Sequence, residues 1–392
     1  MSEPMLVCGR WSKRYINSFD DKRLYDDNCR RRFRFRSEAA SKYVERHGCP
    51  PLSHAEAEEV RDYWAQHSIA VHDFSWWQMY YAVTGMRDPR FIPDDVAGLV
   101  LYAYYNDPAY ADAWRDKNMF TRFLPDVRFP RTYGSCIRGR LFFGDVKGCA
   151  RTDEGIKRFC RYVYESARGE CESIIIKDAR ATGHGRGVKK YRISSEDDIA
   201  VAVGEWKGSD HFTVQKCIDQ HPVLSALNKE SVNVVRVVSW RRDERVDILF
   251  AAVRYGVAGA ITDMIQRDGI ELTNVVKVNP ASGSMEGNMI DQDGRVCGSI
   301  ASGGGVVPGW DEIASLVKAN HLLLDNFDIV GWDFTIDRCE GPICLEYNVQ
   351  WPGTVYYQYA CGPFAGPLTD DLLAFLKDDV LAENYIPYYM RA

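Results

Sequence analysis

The chain has 392 residues, 46% apolar and 27% charged, and its 49 Lys plus Arg against 55 Asp plus Glu leave a net charge of −6. That length predicts two or three domains with a core that needs no covalent staples, and 12% aromatic residues exclude a disordered chain. The acidic balance argues against nonspecific nucleic-acid binding, which needs clustered positive charge. Among the twelve cysteines there is no C-x-x-C pair, which disfavours a zinc ribbon or a thioredoxin-type centre and leaves buried free thiols as the ordinary reading. No run approaches 18 apolar residues and Met1 to Tyr15 holds no apolar signal core; a reduced, cytoplasmic protein with no membrane span is expected.

In chain order, Phe19 to Trp114 reads as helical. It contains five arginines between Arg30 and Arg36; a solvated basic face is the ordinary reading, and docking of an anionic partner the functional one. Ser53 to Glu56 forms a capping-box pattern ahead of a helix reaching about Gln66. Pro93 opens another helix, with Val96, Leu99, Val100 and Ala103 on one face. After Asp116 short β-rich stretches alternate with glycine-rich connections. Strands are expected at Ile174 to Lys177 and within His211 to Ile218, and Val234 to Trp240 should pair with Val246 to Val253. Trp310 to Phe327 and Leu368 to Leu381 read as helices, the former with Ile313, Leu316, Val317, Leu323 and Leu324 inward and the latter with Leu372, Phe375, Leu376 and Val380 inward. The whole describes an α+β body behind a helical N-terminal region.

There is no Gly-Lys dipeptide, H-E-x-x-H, G-x-S-x-G or G-x-G-x-x-G, which withdraws support from a Walker-type loop, zinc proteolysis, serine hydrolysis and dinucleotide binding. Two strand-like runs around a turn carry Asp333, Glu346 and Asn348. A hairpin centred between Cys339 and Glu340 sets Asp333 opposite Glu346 at about 5 Å between Cβ atoms, where two carboxylates repel. Asn348, two residues on, shares the Glu346 face. Such a set suits a hard cation such as magnesium held together with phosphate oxygens; a hydrated surface hairpin is the plain alternative. The apolar strand ending in Lys177 runs into Gly183, His184, Gly185, Arg186 and Gly187, where alternate glycines allow backbone N–H groups to cradle an anion; a simple turn is the plain alternative. Arg236 and Arg254 sit inside apolar strands, where a charge needs a partner, and a structural ion pair is the default explanation.

Taken in order, these pieces resemble an ATP-grasp enzyme, most closely the sugar-transfer-associated ATP-grasp family, from about Asp73 to Pro352. The resemblance is carried by Asp88 to Asp95, Asp116 to Asn118, the Lys177 strand and its glycine loop, Phe212 to Val237, Val330 to Asp333 and Leu345 to Asn348. It implies an ATP-grasp fold with a mainly helical region over 1–115, a small lid subdomain over 116–213 and a large subdomain with the metal site over 214–392. It implies ATP and Mg2+ as cofactors, with Lys117 and Lys177 on the nucleotide, the Gly183 to Gly187 loop as lid, and Gln215, Lys216, Cys217 and Ile218 as adenine hinge. Asp333, Glu346 and Asn348 would hold magnesium, and Arg236 would face the transferring phosphoryl group, with Arg254 beside it as a second catalytic arginine. Lys216 stands where the family usually has an acidic residue. The implied activity is an ADP-forming carboxylate–amine ligase working through an acylphosphate. Its substrates would be a small carboxylate and an amine, glycan or peptide acceptor, with a sugar acid, amino acid or glycan precursor in view. A kinase-like phosphotransferase and a non-catalytic nucleotide-binding module in polysaccharide or peptide assembly stay open as alternatives.

Overall fold

Two antiparallel sheets organise the chain. The computed structural model describes residues 30, 31, 34, 38–180, 187–268, 270–300 and 305–377. Arg32 and Arg36 of the arginine cluster, and Gly183, His184, Gly185 and Arg186 of the glycine loop, lie outside these residues.

The first sheet has six strands: β1 (Thr132–Ile137), β2 (Arg140–Phe143), β3 (Val146–Ala150), β4 (Ser173–Asp178), β5 (Val188–Arg192) and β6 (His211–Lys216), in the order β3-β2-β1-β6-β4-β5. Helices Asp153–Ala167 and Glu196–Glu205 bury Phe159, Cys160, Val163, Ile199 and Val203 against Ile174, Ile176, Phe212 and Val214. Both helices are fixed at their starts by side-chain caps, Thr152 to the Gly155 N–H and Ser195 in a capping box with Asp198. Strand β6 straddles the subdomain boundary expected at 213/214, so this sheet runs on to Lys216.

The second sheet has seven strands: β7 (Val234–Arg242), β8 (Arg245–Tyr255), β11 (Asn274–Val278), β12 (Met285–Asp291), β13 (Val296–Ile300), β14 (Ile329–Asp337) and β15 (Gly341–Asn348), in the order β13-β12-β11-β8-β7-β14-β15. Between β8 and β11 a small hairpin, β9 (Ile265–Arg267) with β10 (Ile270–Leu272), stands apart. The central strands are covered on both faces, and every residue of β14 is buried. One face packs Val235, Val237, Trp332 and Phe334 under helix Trp310–His321. The other face packs Val238, Trp240, Phe250 and Ile329 under the N-terminal helices and the segment from Tyr357 to Leu376. The helical N-terminal region therefore shares a core with the large sheet.

The capping box forms as expected: Ser53 and Glu56 exchange both bonds at the head of His54–Ala65, and Gln66 is its C-cap. Residues 94–105 are helical, and Val96, Leu99, Val100 and Ala103 are buried, with a wide π turn over Ala97–Leu101. Gly98 in that turn has no room for a side chain, since a Cβ would fall 1.5 Å from Trp351 Cη2. The helix expected to reach Phe327 ends at His321, because the buried His321 ring bonds Ser239 Oγ at 2.7 Å and the Phe327 carbonyl at 3.0 Å. The chain turns there and leaves Leu323 exposed, while Leu324 and Phe327 stay buried. The closing helix is Thr369–Leu373 followed by a 3-10 turn to Lys377; it buries Leu372, Phe375 and Leu376, and Val380 lies outside the described residues. Among the described residues, no helix is long and apolar enough to cross a membrane, and ten cysteines are free thiols.

Candidate active site

Strand β4 is the first wall. Ile174 and Ile176 point into the helical layer, so alternation turns Lys177 to the opposite face, where it is 8% exposed. The Lys117 backbone N–H donates to the Ala179 carbonyl at 2.9 Å, which ties the segment from Asp116 to the exit of β4. The Lys117 ammonium then lies 3.1 Å from Glu346 Oε2. Burial and the neighbouring Lys117 push the Lys177 ammonium down to about 8, against the pull of Glu346. Burial would raise the Glu346 carboxyl, but Lys117 and Lys177 outweigh it and hold it down at about 2. Gly187 lies against the end of β4: its φ is +68°, its carbonyl accepts the Asp178 N–H at 2.9 Å, and a Cβ there would fall 2.3 Å from Asp178 Oδ2.

The second wall is the row β8, β7, β14, β15. Arg236 pairs in register with Asp333, and Asp333 with Glu346. The hairpin reaches that last pairing in a way simple counting does not contain. Its turn centres on Cys339, with Asp337 opposite Gly341, and a bulge between Asp333 and Phe334 supplies the missing half-step. The repulsion expected between the two carboxylates is absent, because each has its own cation. Arg236 grips Asp333 with two nitrogens, Nη2 to Oδ2 at 2.8 Å, and gives its third to the Pro352 carbonyl. Glu346 has Lys117. Arg254 Nη2 lies 3.7 Å from Asp333 Oδ2, while its Nε bonds Asp263 and its Nη1 donates to the Tyr357 hydroxyl at 2.9 Å. Arg236 and Arg254 thus form the buried ion pairs that the default reading asks for. Asn348 Nδ2 donates to Asp333 Oδ2 at 3.3 Å.

Strand β6 leads into the expected hinge. Gln215 donates to Thr132 Oγ1 at 3.1 Å, and the Lys216 N–H donates to the Arg131 carbonyl at 2.9 Å. The Lys216 ammonium pairs with Glu340 from the turn of the β14–β15 hairpin, which accounts for a lysine at this place. Cys217 follows half-buried, its thiol raised by burial. Gln215, Lys216 and Ile218 line one cavity of about 1130 Å3 together with Lys117, Lys177, Arg236, Arg254, Asp333, Glu346 and Asn348. Asp263 and Tyr357, which hold Arg254, also line it; Asp263 stands in Thr262-Asp263-Met264, which partly matches a Val-Asp-Asn pattern of the resembled family, and Tyr357 was not singled out from sequence. Asp263 follows an arginine-bearing strand closely enough to suggest a partner; Tyr357 lies 103 residues from Arg254 and leaves no such signal.

The donor set fits a hard cation. Asp333 and Glu346 supply carboxylate oxygens from adjacent strands; Asp333 Oδ1 keeps lone-pair capacity beyond its guanidinium bond, while Oδ2 already accepts from both Arg236 and Asn348. Asn348 presents its amide nitrogen to Asp333, and a half-turn of that amide presents its oxygen. Among the described residues no cluster of three or more His, Cys, Asp or Glu is placed to hold a metal ion, so this set rests on two carboxylates and an amide.

The model of the sugar-transfer associated ATP-grasp family matches residues 100–369, so the motif at Asp88 to Asp95 lies ahead of the match. No curated protein matches the chain by sequence. Among solved structures it is similar to a D-alanyl-alanine synthetase A from Vibrio cholerae, at 12% identity over 71% of this chain and 68% of that one, with a TM-score of 0.42. It is also similar to the VanG D-Ala:D-Ser ligase from Enterococcus faecalis, at 11% identity over 73% of this chain and 63% of that one, with a TM-score of 0.40. With more than half its length matched by the family model, the chain belongs to the sugar-transfer associated ATP-grasp family.

Proposed function

We propose that the protein is an ATP-dependent, ADP-forming ligase that joins a small carboxylate to an amine through an acylphosphate. One observation carries this reading: a single cavity holds two lysines that share Glu346, with Asp333 and Asn348 beside that glutamate. The lysines leave an excess of positive charge that a triphosphate would cancel. The six-stranded sheet, with the segment from Asp116, would act as the lid subdomain over the larger sheet. Gln215 to Ile218 would meet the adenine through backbone groups, and the loop from Gly183 to Gly187, with His184 and Arg186, would fold over the phosphates and exclude water.

Magnesium, held by Asp333, Glu346 and Asn348, would neutralise phosphate charge where the phosphoryl group moves. Lys117 and Lys177 bind the phosphate chain. Arg236, with all three nitrogens engaged, is a positioning residue that fixes Asp333, which modifies the role the resemblance implies for it. Arg254, at 12% exposure the more open of the two arginines, would orient the substrate carboxylate. An oxygen of that carboxylate attacks the γ-phosphorus and ADP leaves; the amine then attacks the acyl carbon and phosphate leaves.

Hydroxylamine tests this directly. In place of the amine it should give a hydroxamate with one ADP and one phosphate per product. Carboxylate-dependent ADP release with neither hydroxamate nor free phosphate would overturn the ligase reading in favour of a kinase.

A further inference from the structure

We infer that the carboxylate substrate carries an apolar or aromatic portion, seated against a ring-lined wall of the same cavity; this rests on the ligase reading. The cavity, at about 1130 Å3, exceeds the roughly 300–1,000 Å3 usual for one ligand, so it has room for a second molecule beside the nucleotide. Beyond the charged set, its lining comes from the N-terminal helices, helix Val355–Cys361 and the segment around the β9–β10 hairpin.

This part of the lining presents four rings, Tyr43, Trp76, Tyr356 and Tyr359, beside the apolar Met79 and Val355. The three tyrosine hydroxyls are already used inside the protein. Tyr43 donates to the Asp293 carbonyl, Tyr356 to the Glu271 carboxylate and Tyr359 to Met79 Sδ at 3.2 Å. The rings offer apolar surface, and the polar groups of the same lining come from other side chains, among them Arg46, Gln292 and Thr262. Ile261 and Ile270 carry the apolar lining out to the solvent, at 38% and 53% exposure. The acidic side chains along the same wall, Asp94, Glu271 and Asp293, outnumber its one arginine, Arg46, and oppose a polyanionic substrate. Arg254, held by Asp263 and Tyr357 at the junction with the charged set, is placed to take a single carboxylate. The chemistry this combination recognises is one carboxylate on an apolar body.

Calorimetric titration of the full chain, saturated with magnesium and a non-hydrolysable ATP analogue, tests the inference with three probes: 3-phenylpropanoate, propanoate and glucuronate. The expected result is that 3-phenylpropanoate binds at least about tenfold more tightly than either of the others, the scale of discrimination an apolar pocket gives. The surface double variant Ile261→Asp, Ile270→Asp should cut that preference to below about threefold while the analogue binds as before. Equal or tighter binding of glucuronate or propanoate, absence of binding by all three, or an undiminished preference in the double variant would each overturn the inference alone. Failure of the analogue itself to bind would bring down the ligase reading, and this inference with it.

Discussion

The two walls of the cavity both bury cations, and they settle the charge differently. On the seven-stranded sheet, Arg236 and Arg254 face Asp333 and Asp263, so two positive charges meet two negative ones at close range. On the six-stranded side, Lys177 and Lys117 share Glu346. The first arrangement satisfies itself, as a buried ion pair must if it is not to be a heavy cost. The second does not, and the depressed Lys177 is the sign of it. One wall holds its charges in matched pairs, and the other carries one more cation than its carboxylate balances.

The largest expected effect breaks the self-satisfied wall. Arg236→Ala leaves Asp333 as a buried charge without its main partner and should lower unfolding stability by about 3–5 kcal/mol, read by chemical denaturation without ligand. Asp333→Asn should lose stability in the same experiment. A gain there would mean that carboxylate crowding, not the Arg236 pair, governs the site. The opposite sign is expected on the other wall. Lys177→Met removes a buried ammonium and should leave the melting temperature of the free protein unchanged or higher. It should also abolish most of the stabilisation by ATP and magnesium, which amounts to about 2.7 kcal/mol at a hundredfold excess over Kd. A ligand-free protein destabilised by that change would show Lys177 to be as well paired as Arg236.

A pH series sharpens the contrast. Lys177 titrates near 8 in the free protein, and phosphate beside it raises that value, so binding ATP takes up a proton. Affinity should therefore fall as pH climbs above about 8, by up to roughly tenfold per unit. Titration in buffers of different ionisation enthalpy should show proton uptake at pH 8.5. Without nucleotide the sign reverses: the unfolded lysine, near 10.5, holds its proton where the folded one has lost it, so stability rises between about 8 and 10.5. The smallest effect belongs to Lys216→Ala, which removes a partly exposed pair with Glu340 and should cost less than about 1 kcal/mol.

Much of this was legible in the sequence where local rules act alone. The capping box at Ser53, the strand that delivers Lys177 and the β7–β8 hairpin all follow from spacing within a few residues. The pairing of Asp333 with Glu346 was legible as a result, though its cause, a bulge, was not. What escaped was set by distant partners. The end of the helix at His321 depends on Ser239 and on the Phe327 carbonyl, and apolar periodicity up to Leu324 gives no hint of either. The neutralisation of the two carboxylates depends on strand order across the sheet. Tyr357 reaches Arg254 from a helix whose own pattern says only that it packs.

The bulge has a further consequence. A regular strand hands successive side chains to opposite faces, so an acidic ligand and an apolar neighbour cannot both be delivered to one side by adjacent residues. With Phe334 opposite Cys344 and Asp333 opposite Glu346, Leu345 is the extra residue, and both it and Glu346 reach the cavity. One edge strand thereby sets a greasy contact and a charged one shoulder to shoulder, packing into two positions what an even ladder would spread over three.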